Sequence, residues 1–419
     1  MRIPLSKPEI GDREVAMVTR VLRSGQLSLG PCLAEFEERF AAYAGSSYAI
    51  AVNSGTSALH LCVRALGIGP GDEVLTTSFS FVASANCILY EGAVPAFADI
   101  DSATLNIDPG KISEAITRDY VWKKGRLINR ASGRVLRAIL PVHVFGMPCD
   151  MEAISQIAAT FGLHVIEDAC EALGARHAGR AAGTSGDFGV FAFYPNKQMT
   201  TAEGGMIVTN DERLALVCRS LRNQGRDEST AWLRHERLGY NYRLSELHCA
   251  LGLAQLGQIN GLLTAREQVA ARYTQMLSGI PQIGLPCERA GRKRSWFVYV
   301  IRLLGSSASE LRAELIEGLR IRGIACQTYF PAIHLQPYFR DVPLSPVRLL
   351  PETESASDSC LALPFFPSMS SEETEEVCAV VREIIQSSAN PRRRVARADR
   401  EPPSTPKHTQ ESEQTFVLR

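Results

Sequence analysis

The chain has 419 residues, with 45 Lys+Arg against 45 Asp+Glu, 45% hydrophobic and 21% charged residues. A formal net charge of zero removes the electrostatic case for a nucleic-acid partner, which calls for a basic domain or face. The apolar share is that of a folded protein with one large domain and a smaller one, and it excludes general disorder.

No apolar run reaches the roughly 18 residues of a membrane helix, and the start MRIPLSKPEIGDRE lacks the apolar core of a signal peptide. A cytoplasmic protein is expected, without a membrane partner. Eleven cysteines, at 32, 62, 87, 149, 170, 218, 249, 287, 326, 360 and 378, are odd in number and scattered. They lack the paired close spacings of a zinc site, so they read as reduced, mostly buried apolar residues and no metal is expected.

Helices are predicted over 12–23 and 31–44. From residue 48 to 210 the short apolar runs YAIAV, EVLTT, AVPAFA, AILPVHV, LHVIE, GVFAF and GMIVT alternate with helix-like or Gly/Pro-punctuated segments. That alternation predicts an α/β fold, a mostly parallel sheet flanked by helices. Within it, the basic stretch 118–137 with two Gly turns reads as a surface hairpin. After residue 244, Leu247, Leu251, Ala254 and Gln258, with Ala250, Leu253 and Ile259, keep a helical period through a long segment to about 277. A strand at WFVYVIRLL (296–304), a helix at 308–320 and a last helix from near Ser370 to 387 complete a smaller α+β unit. The expected division is a large α/β domain with an N-terminal arm over 1–250, a small C-terminal α+β domain over 251–388 and a disordered tail over 389–419, polar and proline-containing.

Ligands of open α/β sheets bind outside the carboxyl ends of the strands, so residues that follow apolar runs are the first candidates. After YAIAV comes Asn53-Ser54-Gly55-Thr56-Ser57, a Gly- and hydroxyl-rich turn at a helix start, suited to an anion through free N–H groups and the helix dipole. Ser54 or Thr56 acting as a plain helix cap is the alternative. Neither a Gly-x4-Gly-Lys-Ser/Thr loop nor a Gly-x-Gly-x-x-Gly after the first strand occurs, which argues against nucleotide triphosphates and nicotinamide dinucleotides. Asp168, preceded by Glu167, ends LHVIE. Lys197 follows GVFAF in Tyr194-Pro195-Asn196-Lys197, and Phe81 lies in Ser78-Phe79-Ser80-Phe81 after EVLTT.

A lysine, a buried acid and a phosphate-binding turn together fit a cofactor with an aldehyde, a basic ring nitrogen and a phosphate, which is pyridoxal 5'-phosphate. The lysine amine forms the Schiff base and shuttles a proton, an aspartate keeps the ring nitrogen protonated, and an aromatic face such as Phe81 fixes the ring plane.

These motifs carry a wider likeness. IPLSKPEI from residue 3, SGQLSLGPCLAEFEERFAAY (24–43), NSGTSALHL (53–61), GAVPAFADIDSATLNIDP (92–109), PVHVFGMPCDM (141–151), VIEDACEALGA (165–175), FAFYPNKQMTTAEGGMIVTND (191–211), GYNYRLSELHCALGLAQL (239–256) and YFPAIHLQPYF (329–339) occur in order. Over about residues 1–388 the chain resembles the DegT/StrS sugar-nucleotide aminotransferases, pyridoxal-phosphate-dependent transferases of fold type I. The resemblance implies Lys197 as the Schiff-base lysine and Asp168 as the partner of the pyridine nitrogen. It implies Glu171 near the ring hydroxyl, Phe81 on the ring, and Gly55, Thr56 and Ser57 at the phosphate. It further implies a homodimer with shared sites, Asn241 with Arg243 close by reaching the other protomer's cofactor, and Tyr329 and His334 near the sugar.

Three positions depart from the pattern. Glu171 stands where many members carry Gln, Ala192 where a Ser hydroxyl commonly contacts the phosphate, and Ala202 where Gly is frequent. Lys197 separates the chain from the family's sugar dehydratases, which carry histidine there. The activity expected from the resemblance is transfer of an amino group from an amino acid, glutamate foremost, to a keto-sugar nucleotide in polysaccharide or secondary-metabolite biosynthesis. A dehydratase or other reaction on the same scaffold, or a non-catalytic cofactor-binding protein, are the alternatives.

Overall fold

The computed structural model describes residues 1–227, 234–343 and 349–388; the expected tail lies outside them. The chain begins with α1 (Asp12–Ser24) and α2 (Pro31–Ala44), then β1 (Tyr48–Val52), α3 (Gly55–Ala65), β2 (Asp72–Thr77), α4 (Ala83–Leu89), β3 (Val94–Ala98) and α5 (Pro109–Asp119). The basic stretch forms a hairpin, β4 (Tyr120–Lys123) and β5 (Arg126–Asn129), as the sequence predicts, and β5 pairs antiparallel with β6 (Val135–Leu140). There follow α6 (Met151–Phe161), β7 (His164–Asp168), a short ribbon β8 (Arg176–His177) and β9 (Arg180–Ala181), then β10 (Phe188–Ala192), β11 (Gly205–Thr209) and α7 (Glu212–Arg222).

The main path of the central sheet runs β1-β11-β10-β7-β6-β2-β3. β10, β7, β6, β2 and β3 are mutually parallel, and β11 is antiparallel to both β10 and β1. β1 therefore runs in the direction of the parallel strands, and its carboxyl end falls on their edge. Strand alternation sorts side chains between two helical layers. Ile50, Val52, Val190 and Ile207 join Leu59 and Leu214 on one face. Ala49, Ala51, Phe191, Met206 and Val208 meet Phe36, Phe40 and Leu253 on the other. Both faces being covered, these strands read as unbroken apolar runs.

The helical period after residue 244 is split in two: α8 (Glu246–Leu256) and α9 (Ile259–Leu277) are separated at Gly257 and Gln258. The break lets α8 stay against α1 and α2 while α9 joins a further core, in which Val269, Tyr273 and Leu277 meet Leu315, Leu361 and Val381. That core covers a small antiparallel sheet of β12 (Ile283–Gly284), β14 (Tyr299–Leu303) and β15 (Cys360–Leu363), while β13 (Arg292–Lys293) pairs with β8. α10 (Ala308–Ile321), α11 (Pro351–Ser359) and α12 (Ser371–Ser388) enclose it. All eleven cysteines are free and eight are buried. No helix of the described residues is long and apolar enough to cross a membrane.

Candidate active site

The carboxyl edge of the sheet collects one loop from each of β1, β2, β6, β7 and β10. After β1, Ser54 takes an extended conformation and caps α3: its Oγ accepts the Ser57 N–H at 3.0 Å. The first turn of a helix has no internal acceptors for its N–H groups, so those of Gly55 and Thr56 are left to face an anion. Gly55 is required there by space. A Cβ on it would stand 2.7 Å from Ala192 Cβ and 3.1 Å from Cys170 Sγ, which places the turn directly against the ends of β10 and β7.

Alternation along β7 sends its two acids to opposite faces. Glu167 turns away from the site into a closed network, accepting the backbone N–H groups of Gly183, Ser185 and Gly186 and the His143 ring at 3.0 Å. Burial alone would push its pKa up, but the hydrogen bonds from His143 and the backbone hold it below the ordinary carboxylate range. The Cys149 N–H is directed at His143 Nδ1, and the ring donates to Glu167 through Nε2. Asp168 turns into the site. Its Oδ1 accepts the Cys170 N–H at 3.1 Å and its Oδ2 the Ser84 hydroxyl at 2.8 Å.

Ser84 lies at the start of α4, and the Phe81 carbonyl is the acceptor for its backbone N–H. Phe81 itself is 60% exposed, a large apolar ring presented to the opening.

After β10, the Lys197 N–H donates to the Tyr194 carbonyl at 2.9 Å, closing a turn with Pro195 and Asn196 at its centre, positions those residues favour. The Lys197 side chain is 14% exposed, with Nζ 3.6 Å from Glu171 Oε1 and 3.9 Å from the centre of the Phe297 ring. Glu171 Oε2 accepts the Phe145 N–H at 2.9 Å. Burial raises the Glu171 pKa above its ordinary value, with the Lys197 charge opposing.

Tyr329 stacks near Phe145 and Phe297, with ring centres 6.4 and 6.5 Å apart. Burial, with the Glu171 charge, keeps its hydroxyl protonated above the usual range. His334 is anchored within the protein. Its backbone N–H donates to Ser78 Oγ, Ser78 Oγ and Nδ1 are 2.7 Å apart, and Nε2 lies 3.3 Å from Glu354. Asn241 and Arg243 lie on the segment paired with the end of β1: Arg243 bridges to Val52, and the Asn53 N–H donates to the Tyr242 carbonyl. Asn241 is exposed, and the Arg243 guanidinium donates to Asn223.

Of the residues singled out in the sequence, Gly55, Thr56, Ser57, Phe81, Asp168, Glu171 and Lys197 thus end or follow strands at the carboxyl edge of the sheet, and Tyr329 stands beside Phe145 and Phe297. Ser84, Phe145 and Phe297 were not foreseen. Ser84 had a signal, a hydroxyl three residues after Phe81 where a helix begins. Phe297 had none, because its approach to Lys197 depends on how the small sheet meets the large one.

The residues fit pyridoxal 5'-phosphate. The capped turn without side chain at Gly55 suits a phosphate, the Asp168 carboxyl group held by two donors suits a ring nitrogen that donates, and Asn196 Oδ1 is buried with no hydrogen-bond partner among the described residues. Fold and site together define a pyridoxal-phosphate-dependent transferase of fold type I. The DegT/DnrJ/EryC1/StrS aminotransferase family model matches residues 8–382, and the chain belongs to that family. It is 37% identical over 397 residues to the spore coat polysaccharide biosynthesis protein SpsC of Bacillus subtilis, covering 92% of this chain and 98% of that protein. It is 36% identical over 391 residues to GDP-perosamine synthase of Caulobacter vibrioides, with the same coverages. Among solved structures, that of S. venezuelae DesV in complex with a ketimine intermediate superposes with a TM-score of 0.81 at 35% identity, covering 92% of this chain and 98% of DesV.

Proposed function

We propose that the enzyme moves an amino group from glutamate to the keto group of a nucleotide-linked sugar, in the building of a surface polysaccharide or a secondary metabolite. The reading is supported by relatives that include a spore coat polysaccharide protein and a GDP-perosamine synthase. The observation that carries it is the Lys197 amine, half-enclosed between Glu171 and the Phe297 ring, on the same sheet edge as Asp168.

Bound here, pyridoxal phosphate supplies an aldehyde that carries the amino group and a ring that withdraws electrons from the bond being broken. Lys197 would hold it through Nζ, Asp168 at the ring nitrogen, Phe81 across the ring face, Glu171 near the ring hydroxyl, and Gly55, Thr56 and Ser57 at the phosphate. Asp168 would accept a hydrogen bond from the ring N–H, leaving the proton on the nitrogen, while Ser84 and the Cys170 N–H keep its carboxylate in place. Lys197 Nζ would take the proton from the donor's α-carbon in one half-reaction and deliver one to the sugar carbon in the other. Glu171 Oε1, 3.6 Å away, keeps the amine on that side of the site between these transfers. Tyr329, with its proton retained, faces the same space and is assigned to the sugar, and His334, tied to Ser78 and Glu354, is assigned to seating that segment.

The exposed Asn241 and the neighbouring Arg243 are assigned to the phosphate of a second protomer's cofactor, in a cytoplasmic homodimer. The test is a pair of half-reactions on the purified protein. Glutamate alone should convert bound pyridoxal phosphate to its amine form, and one of a panel of keto-sugar nucleotides should convert it back, with ping-pong kinetics overall. Lys197→Ala should fold, retain cofactor and lose both conversions. A Lys197→Ala protein that still turns over, or sequential kinetics, refutes the scheme.

A further inference from the structure

α9 presents Leu262, Val269, Ala270, Tyr273 and Leu277 to the core, and a charged residue, Arg266, stands on the same stripe. Its side chain is among the largest that are fully buried, at 2% exposure. Glu9 is the opposing charge that acts on it, and burial brings its pKa down to about 10, so the guanidinium remains charged at neutral pH. A buried cation without a paired carboxylate costs several kcal/mol. A leucine or methionine would fill the stripe without that cost, so the charge calls for an explanation.

The explanation lies in what the guanidinium touches. Nη2 donates to the Lys197 carbonyl at 2.8 Å, and Nη1 donates to the Phe297 carbonyl at 3.1 Å. Those two residues form the contact of amine with ring at 3.9 Å. The plane of Arg266 in turn lies over Phe365, 5.6 Å from its ring centre. One planar fork thereby fixes the main chains of Lys197, which follows β10, and of Phe297, which precedes β14. Charge-assisted donors set such a separation more firmly than neutral ones, and the planar guanidinium spans two acceptors where an ammonium is a single point.

We infer that Arg266 is a positioning residue for Lys197, holding the lysine's main chain at a fixed distance from its aromatic support so that the amine is delivered to one point. The inference rests on the reading of Lys197 as the lysine that binds the cofactor.

The test uses the full chain loaded with pyridoxal phosphate, as wild type, Arg266→Met, Arg266→Lys and Lys197→Ala. Each is measured for melting temperature, for the fraction of bound cofactor that a brief borohydride pulse fixes to residue 197, and for kcat and KM with glutamate. Arg266→Met should melt at or above the wild-type temperature, because an apolar side chain relieves the buried charge. Its fixed fraction should nevertheless fall several-fold, and kcat should fall on the order of tenfold to a hundredfold with little change in KM, the effect of a misplaced reacting group. Arg266→Lys, keeping the charge and one carbonyl bond, should fall between the two. Wild-type labelling and kcat in a folded Arg266→Met protein would make Arg266 a mere core filler and overturn the inference. Should Arg266→Met fail to fold, wild-type values for Arg266→Lys overturn it in the same way. If borohydride labels the wild type somewhere other than Lys197, or labels Lys197→Ala equally, it is the assignment of Lys197 that fails.

Discussion

The Ser84 hydroxyl donates its one hydrogen to Asp168 Oδ2 at 2.8 Å, and Ser80 Oγ, 2.9 Å from Ser84 Oγ, is left to donate in turn to Ser84. Two consecutive hydroxyls thus lead to the carboxylate that faces the cofactor. The direction matters, because each hydroxyl points its hydrogen toward the carboxylate and so fixes its orientation. The loop that carries Phe81 also carries this donor, so ring stacking and acid orientation depend on the same few residues.

Ser84→Ala removes a hydrogen bond to a charged group, an interaction worth about 1.5–3 kcal/mol. Since Asp168 is assigned to the ring nitrogen, the loss should appear in the affinity for pyridoxal phosphate, weakened roughly tenfold or more at about 1.4 kcal/mol per decade. Titration of the apoprotein followed by fluorescence measures it. An affinity equal to that of the wild type would mean that the Cys170 N–H alone orients Asp168.

Glu171 gives a pH-dependent prediction. Its folded-state pKa is raised above the ordinary value of 4.5 by burial, against the pull of Lys197. A group of this kind contributes most to stability when protonated, below 4.5, and its contribution is lost as pH rises through the raised folded value. Glu171→Gln cannot ionise, yet its amide oxygen can still accept the Phe145 N–H. The melting temperature of the apo variant relative to wild type should therefore increase from pH 5 to pH 8, by less than the roughly 2–4 °C per kcal/mol of a chain about half this length. A constant or falling difference contradicts the raised pKa.

Gly55→Ala puts a Cβ 2.7 Å from Ala192 Cβ and 3.1 Å from Cys170 Sγ, so the first turn of α3 must move away from the strand ends. Overpacking of this kind costs about 1–3 kcal/mol. Cofactor affinity and melting temperature should both fall. Ala192→Gly, added to Gly55→Ala, removes the nearer atom and should recover part of both, a coupling that a double-mutant cycle detects. Purely additive losses would place the strain elsewhere.

Much of this was legible in the chain. The runs YAIAV, GVFAF and GMIVT are β1, most of β10 and β11, because strands covered on both faces must be apolar throughout, and loops at their carboxyl ends stand out against that background. Contacts between distant segments were less accessible. The period from Leu247 to Ile259 gave no sign of the break at Gly257, which tertiary packing imposes where α8 and α9 serve different cores. Glu167 and Asp168 look alike in sequence, and only the pleat of β7, with three backbone donors waiting on one side, separates the structural acid from the one in the site. Arg266 was not singled out in the sequence, because what gives it a role, its two carbonyl acceptors, lies 69 and 31 residues away.

His334 distinguishes a direct from an indirect role at the sugar. The Ser78 hydroxyl accepts the His334 backbone N–H, so its own hydrogen is available to Nδ1, which leaves Nε2–H to face Glu354. The Ile333 N–H donates to the Ser78 carbonyl at 2.9 Å, so the whole segment after Tyr329 is tied to the end of β2 at one serine. With both ring nitrogens engaged, His334 acts by seating Tyr329 and its neighbours. His334→Ala should then raise KM for the keto-sugar nucleotide several-fold, by about 1 kcal/mol or more for a lost buried hydrogen bond, while the glutamate half-reaction keeps its rate. His334→Asn supplies an acceptor near the position of Nδ1 and should restore much of the sugar KM. If Asn is as poor as Ala, the imidazole itself touches the sugar and Ser78 is only its support.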